Sequence, residues 1–194
     1  MITEAKINSN YTLFEKRLKK DFSIDVEKLN KELPSLKEAS FGISVENGCA
    51  YPGSLIDKTI KLTSLAVKVN EELIPEEMRV QKESIIKVCM LQHISKARSL
   101  MKNDNEWEIN KRGYLYKYNN ECTIIKTGAL SSYIAMRCGA EFTDDELEAI
   151  TIIDRECDDK QANFYASKLA MVVRIANEML LLLSKEEVKE AKKK

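Results

Sequence analysis

Residues that stop a helix are scarce in this chain, with three prolines and six glycines in 194 positions. A β-sandwich or barrel of this length needs a turn about every ten residues, so the chain is expected to be mainly α-helical. The apolar pattern agrees. Leu55, Ile56, Ile60, Leu62, Leu65, Ala66, Val67, Val69 and Leu73 give a wide apolar face from Ser54 to about Ile74, and Pro75 stops it. Ser54, with Asp57 three residues on, is expected to cap that helix. A second helix is expected from about Glu83 to Met101, apolar on most sides and therefore central.

Three more helices are expected at about Thr127 to Cys138, Thr143 to Ile153, and Ser167 into the tail. Thr143 and Glu146 have capping-box spacing, and Gly139 is placed to end the helix before them. The period changes between about 106 and 118. There Trp107 and Ile109, then Tyr114, Tyr116 and Tyr118, alternate with polar residues around Asn110-Lys111-Arg112-Gly113, the pattern of one small β-hairpin. Its aromatic residues read as hairpin packing rather than a base-stacking platform, because no basic groove accompanies them.

Residues 1–50 read as an irregular extension with two short helical patterns, Tyr11 to Lys20 and Ile24 to Leu33. The main domain is expected over 51–184 and a charged tail over 185–194, a solvated helix end. No linker or internal repeat divides the chain. A chain this long buries roughly two-thirds of its unfolded surface, so neither disulfides nor metal are needed for folding.

Thirty-one basic and thirty-one acidic residues cancel, which leaves no general field for nucleic acid. Cys49, Cys89, Cys122, Cys138 and Cys157 are odd in number and lack CxxC spacing, so reduced thiols are expected rather than a disulfide framework or zinc site. No apolar run approaches the ~18 residues of a membrane span, and the N-terminus lacks a signal-peptide pattern.

No glycine-rich phosphate loop or GxSxG is present, and the single histidine, His93, cannot build a histidine-rich metal site. The order of several weak motifs says more. Tyr51-Pro52-Gly53-Ser54-Leu55-Ile56-Asp57-Lys58-Thr59 resembles the HPGGLLEHS opening of HD-domain phosphohydrolases. Met90-Leu91-Gln92-His93-Ile94-Ser95-Lys96-Ala97 resembles their LLHDISKA stretch. Trp107 to Tyr118 is similar to the hairpin of small, often phage-encoded members. Lys126-Thr127-Gly128-Ala129-Leu130-Ser131-Ser132 resembles GHGEKS, Phe142 to Ile150 resembles LTDEEALAI, and Val173-Arg174-Ile175-Ala176-Asn177 resembles LHIAD. The resemblance covers about Tyr51 to Leu183 and implies an HD-like helical bundle.

It also implies a lost metal site. The family's ligand positions fall here on Tyr51, Lys58, Gln92, His93, Thr127, Asp154, Arg174 and Asn177. A divalent ion needs oxygen anions or several imidazoles, and most of these substitutions remove one. Lys58 would place a cation where the ion should sit. A catalytically inactive scaffold is therefore expected, with no catalytic residue, metal or cofactor. Its role would be structural, assembly or protein binding, with homo-oligomers and other virion proteins as partners and no membrane. The cytoplasm or a phage particle would be its location. Two alternatives remain open. One is a phosphohydrolase or nucleotidase with a site rebuilt from His93, Asp154 and Asp57. The other is a non-hydrolysing nucleotide sensor in which Lys58, Arg174 and Gln92 line a cationic cleft.

Overall fold

The computed structural model describes residues 2–122, 126–154 and 167–192, leaving the side chains of Asp154 and Lys192 undescribed. Cys157 lies outside those residues. The described chain is mainly α-helical with one small two-stranded antiparallel sheet. No helix among these residues is long and apolar enough to cross a membrane.

The first fifty residues carry helices at both helical patterns expected there, the first of them longer than its pattern. They begin with a nineteen-residue helix, α1 (Glu4–Phe22), whose first turn is capped by the Thr3 hydroxyl accepting from the Lys6 amide. Phe14 and Leu18 on α1 are wholly buried. A shorter helix follows, α2 (Val26–Glu32), capped by Asp25 and burying Leu29. The helical pattern expected from Tyr11 to Lys20 is the second half of α1; its first turns, Glu4 to Asn10, are mostly polar or charged and gave no apolar period.

The central helix α3 (Ser54–Lys68) runs on into a π-helical turn (Val69–Leu73) before Pro75. Ser54 is not its cap. Gly53 holds that place with a left-handed φ of 75°, and no side chain caps the end. The Ser54 hydroxyl instead donates to the Cys49 carbonyl and accepts from the Phe41 amide, tying down the loop before the helix.

The expected 83–101 helix divides into α4 (Lys82–Leu91) and α5 (Lys96–Ser99), separated by a turn over 92–95. Strand β1 (Leu100–Lys102) follows, then helix α6 (Glu106–Arg112) and strand β2 (Tyr116–Tyr118). The sheet is thus displaced from the hairpin expected over 106–118. Its register pairs Leu100 with Tyr118, Met101 with Lys117 and Lys102 with Tyr116. Local chemistry explains the shift. Asn105 accepts from the amides of Trp107 and Glu108, which starts a helix where alternation suggested a strand. Gly113, at φ 64°, then ends it. Tyr116 is buried, but Trp107 and Tyr118 are exposed, and the Arg112 guanidinium lies 4.9 Å from the Trp107 ring centre. These aromatics are therefore not a packed ladder.

Helix α7 (Thr127–Arg137) ends before Gly139, which takes φ 95°. Helix α8 (Asp144–Thr151) opens with the complete Thr143–Glu146 capping box and passes into a 3-10 turn (Ile152–Asp154). The last helix, α9 (Lys168–Lys192), carries the charged tail as its own final turns. It packs on α3, α4 and α8, and α8 also meets α4 and α7. Leu62 and Ala66 of α3, Ile85 and Leu91 of α4, Ile150 of α8, and Val173 and Ala176 of α9 lie in one apolar core with Phe14 and Leu18. Each large side chain so buried contributes about 1.5–3 kcal/mol.

Candidate functional site

The turn between α4 and α5 organises the site. The Ser95 amide donates to the Ser131 hydroxyl at 3.1 Å, the Ser131 hydroxyl donates to Ser95 Oγ at 2.9 Å, and Ser95 Oγ donates to the Thr127 carbonyl at 2.9 Å. Every polar atom of this serine pair is used, so the turn is pinned to the start of α7. Breaking the helix here brings His93 and Lys96 to the wall of one cleft.

Asn177 reaches the same place from α9. Its Nδ2 donates to the Val173 carbonyl at 3.0 Å, the helical backbone four residues earlier. That bond fixes the amide orientation and turns Oδ1 towards His93 Nε2, 3.0 Å away. The His93 ring therefore carries its proton on Nε2 and donates it. Asn177 Nδ2 also donates to Gln92 Oε1 at 3.1 Å. Gln92, His93 and Asn177 are thus joined in a short amide–imidazole chain of two hydrogen bonds. Two buried atoms in it, Gln92 Nε2 and His93 Nδ1, have no hydrogen-bond partner. Burial drives the His93 pKa well below the usual 6.5, the nearby Lys96 charge pushes it further down, and the Asn177 bond opposes both. The ring is neutral at pH 7.

Phe41 supplies the other wall. Its ring meets His93 edge-on, with centres 4.7 Å apart. Lys96 Nζ lies 3.8 Å from the same ring's centre and donates to the Phe41 carbonyl at 2.8 Å. The cleft encloses about 380 Å³, and His93, Lys96, Thr127, Ile152, Arg174 and Asn177 line it, with Glu178 beside them.

Four of the eight positions named from sequence, His93, Thr127, Arg174 and Asn177, therefore line one cleft, and Gln92 joins them through Asn177. Asp154 ends the 3-10 turn whose Ile152 and Ile153 reach the cleft. Tyr51 and Lys58 do not line it. The Tyr51 hydroxyl donates to Asp57 Oδ2 at 2.7 Å, and burial together with that carboxylate pushes the phenol pKa up. Lys58 is fully buried between α3 and α9, donating to Ser184 Oγ at 2.8 Å and Glu187 Oε2 at 3.3 Å. A cationic lining built on Lys58, Arg174 and Gln92 is accordingly replaced by one containing Lys96 and Arg174. Neither Lys96 nor Phe41 stood out in the sequence. The one usable signal was Lys96 three residues beyond His93, a spacing that puts two side chains on one face of a helix.

No family model, curated protein or solved structure matches this chain. The donor set must speak for itself. Among the described residues no three His, Cys, Asp or Glu side chains gather as a metal-binding group. The residues in place also do not suit a divalent ion. The imidazole Nε2 is committed as a donor to an amide oxygen, the neighbouring Gln92 and Asn177 side chains are carboxamides, and the Lys96 ammonium lines the same cleft.

Proposed function

We propose that the protein is a catalytically inactive HD-like scaffold that works by binding protein, first of all further copies of itself, as an assembly component. The observation that carries this reading is the outer face of α9. Met171, Ile175 and Leu182 recur on one side of the helix, opposite the core face of Val173, Ala176 and Leu180. In the run of four leucines Leu180 is buried, and Leu182, on the outer side, is 62% exposed. An apolar stripe of this kind marks an interaction site more often than a free surface. The hydrogen-bonded relay at Gln92, His93 and Asn177 supports the inactive half of the reading, because it uses the old ligand positions for cohesion. Resemblance to phage-encoded HD members makes a virion component the concrete version, with other virion proteins as further partners.

Light scattering across concentration tests the reading. The expected result is a mass that is a multiple of 22.2 kDa and that falls to one chain in Ile175→Glu/Leu182→Glu with unchanged melting. A wild-type chain that stays monomeric at high concentration would sink it. Manganese-dependent turnover of a phosphomonoester would instead favour a rebuilt hydrolase. A second reading, a non-hydrolysing site for a nucleotide or phosphate, is favoured by Lys96 and Arg174 in one cleft wall. Stabilisation by nucleotide without hydrolysis would support it.

A further inference from the structure

Lys96 forms part of the wall between two cavities. One is the 380 Å³ cleft, and the other, of about 210 Å³, reaches Cys49, Ser99 and Tyr118. Phe41 and Thr127 also line both cavities. A half-buried lysine such as Lys96 ordinarily keeps its proton through a carboxylate partner. Among the described residues Lys96 has none, and its amine rests on a backbone carbonyl and an aromatic face. Burial pulls its pKa from 10.5 down to about 8, against a smaller opposing pull from Cys49. At neutral pH about one amine in ten is then free base, against roughly one in three thousand for an exposed lysine. The charged side chains sharing the cleft are Arg174 and Glu178, and the imidazole of His93 is neutral.

We propose that Lys96 is an amine nucleophile that captures a small carbonyl compound, in particular a 2-oxo acid, as a Schiff base in this cleft. The Nζ lone pair attacks the carbonyl carbon, and the carbonyl π pair moves to oxygen. Loss of a proton from nitrogen and gain of one by oxygen give the carbinolamine. The nitrogen lone pair then expels the hydroxyl, which leaves protonated as water, and loss of the second amine proton gives the neutral C=N bond. Carbonyl plus amine become imine plus water, so no oxidant or reductant takes part. A 2-oxo acid fits better than a simple aldehyde because its carboxylate lies next to the reacting carbon, and Arg174 and Thr127 line the same cleft.

The test treats the full chain with glyoxylate or acetaldehyde, traps imines with borohydride and maps the modified lysines by peptide mass. Lys96 is expected to react about tenfold ahead of any exposed lysine, since its larger free-base fraction outweighs its lower basicity. Glyoxylate should exceed acetaldehyde at Lys96 relative to the exposed lysines, and Arg174→Gln should erase that preference while acetaldehyde labelling persists. Even labelling across the lysines, or an unlabelled Lys96, overturns the proposal. A glyoxylate preference that survives in Arg174→Gln overturns the assignment to 2-oxo acids. Lys96→Met should lose the adduct, and if it fails to fold, the wild-type peptide map decides alone.

Discussion

His93 shows how one side chain ties stability to pH. Its native pKa lies well below the usual 6.5, so between those two values the unfolded chain binds a proton that the native chain does not. Stability therefore rises with pH across that window, is fully present above about 6.5, and is lost as the pH falls, by up to about 1.4 kcal/mol per unit. Urea titrations at pH 7.5, 6.5 and 5.5 should show this fall, and His93→Gln should flatten it. An equal slope in the variant would mean that other groups carry the effect. The sequence singled out Asn177 only through a resemblance, and the hydrogen bonds it makes were not legible there. Whether the amide oxygen or nitrogen faces the ring depends on the Val173 carbonyl one turn back, a constraint that exists only once α9 has formed.

At the scale of elements, the turn between α4 and α5 depends on two serines 36 residues apart. Ser131→Ala removes the acceptor for the Ser95 amide and leaves a buried donor without a partner. The expected loss is about 1–3 kcal/mol, with faster amide exchange at Ser95, read by urea unfolding and hydrogen exchange. This turn also marks the limit of reading elements from periodicity. The apolar run from Ile85 to Leu100 has no break in its pattern, so it suggested one helix. The interruption comes from tertiary hydrogen bonds to α7. The hairpin was displaced for the opposite reason, a purely local one. Asn105 capping and the glycine at 113 outweigh the alternation of Trp107, Ile109 and Tyr114. Where sequence signals were both local and unopposed, as at Thr143–Glu146, Gly139 and Pro75, the boundaries agree closely.

Across the whole molecule, α9 is held to α3 by a buried charge. Lys58 is 1% exposed while its anion, Glu187, is 56% exposed, and the fully buried contact is the Ser184 hydroxyl. Removing that hydroxyl leaves the ammonium short of a desolvated partner, so Ser184→Ala should cost about 1.5–3 kcal/mol. Lys58→Met keeps the packed stem without the charge. It should cost less than Ser184→Ala and recover most of the loss when the two are combined. Full additivity of the two losses in chemical denaturation would show that the groups do not act together.

That clasp also sets a schedule for synthesis. Lys58 meets a residue made 126 positions later, and the same late helix supplies Val173, Ala176 and Asn177 to the interior. While α9 is still inside the ribosome, α3 and α4 have emerged with their apolar faces uncovered. Nascent chains therefore wait as an open half-molecule, exposed to premature self-association, until the final helix closes them.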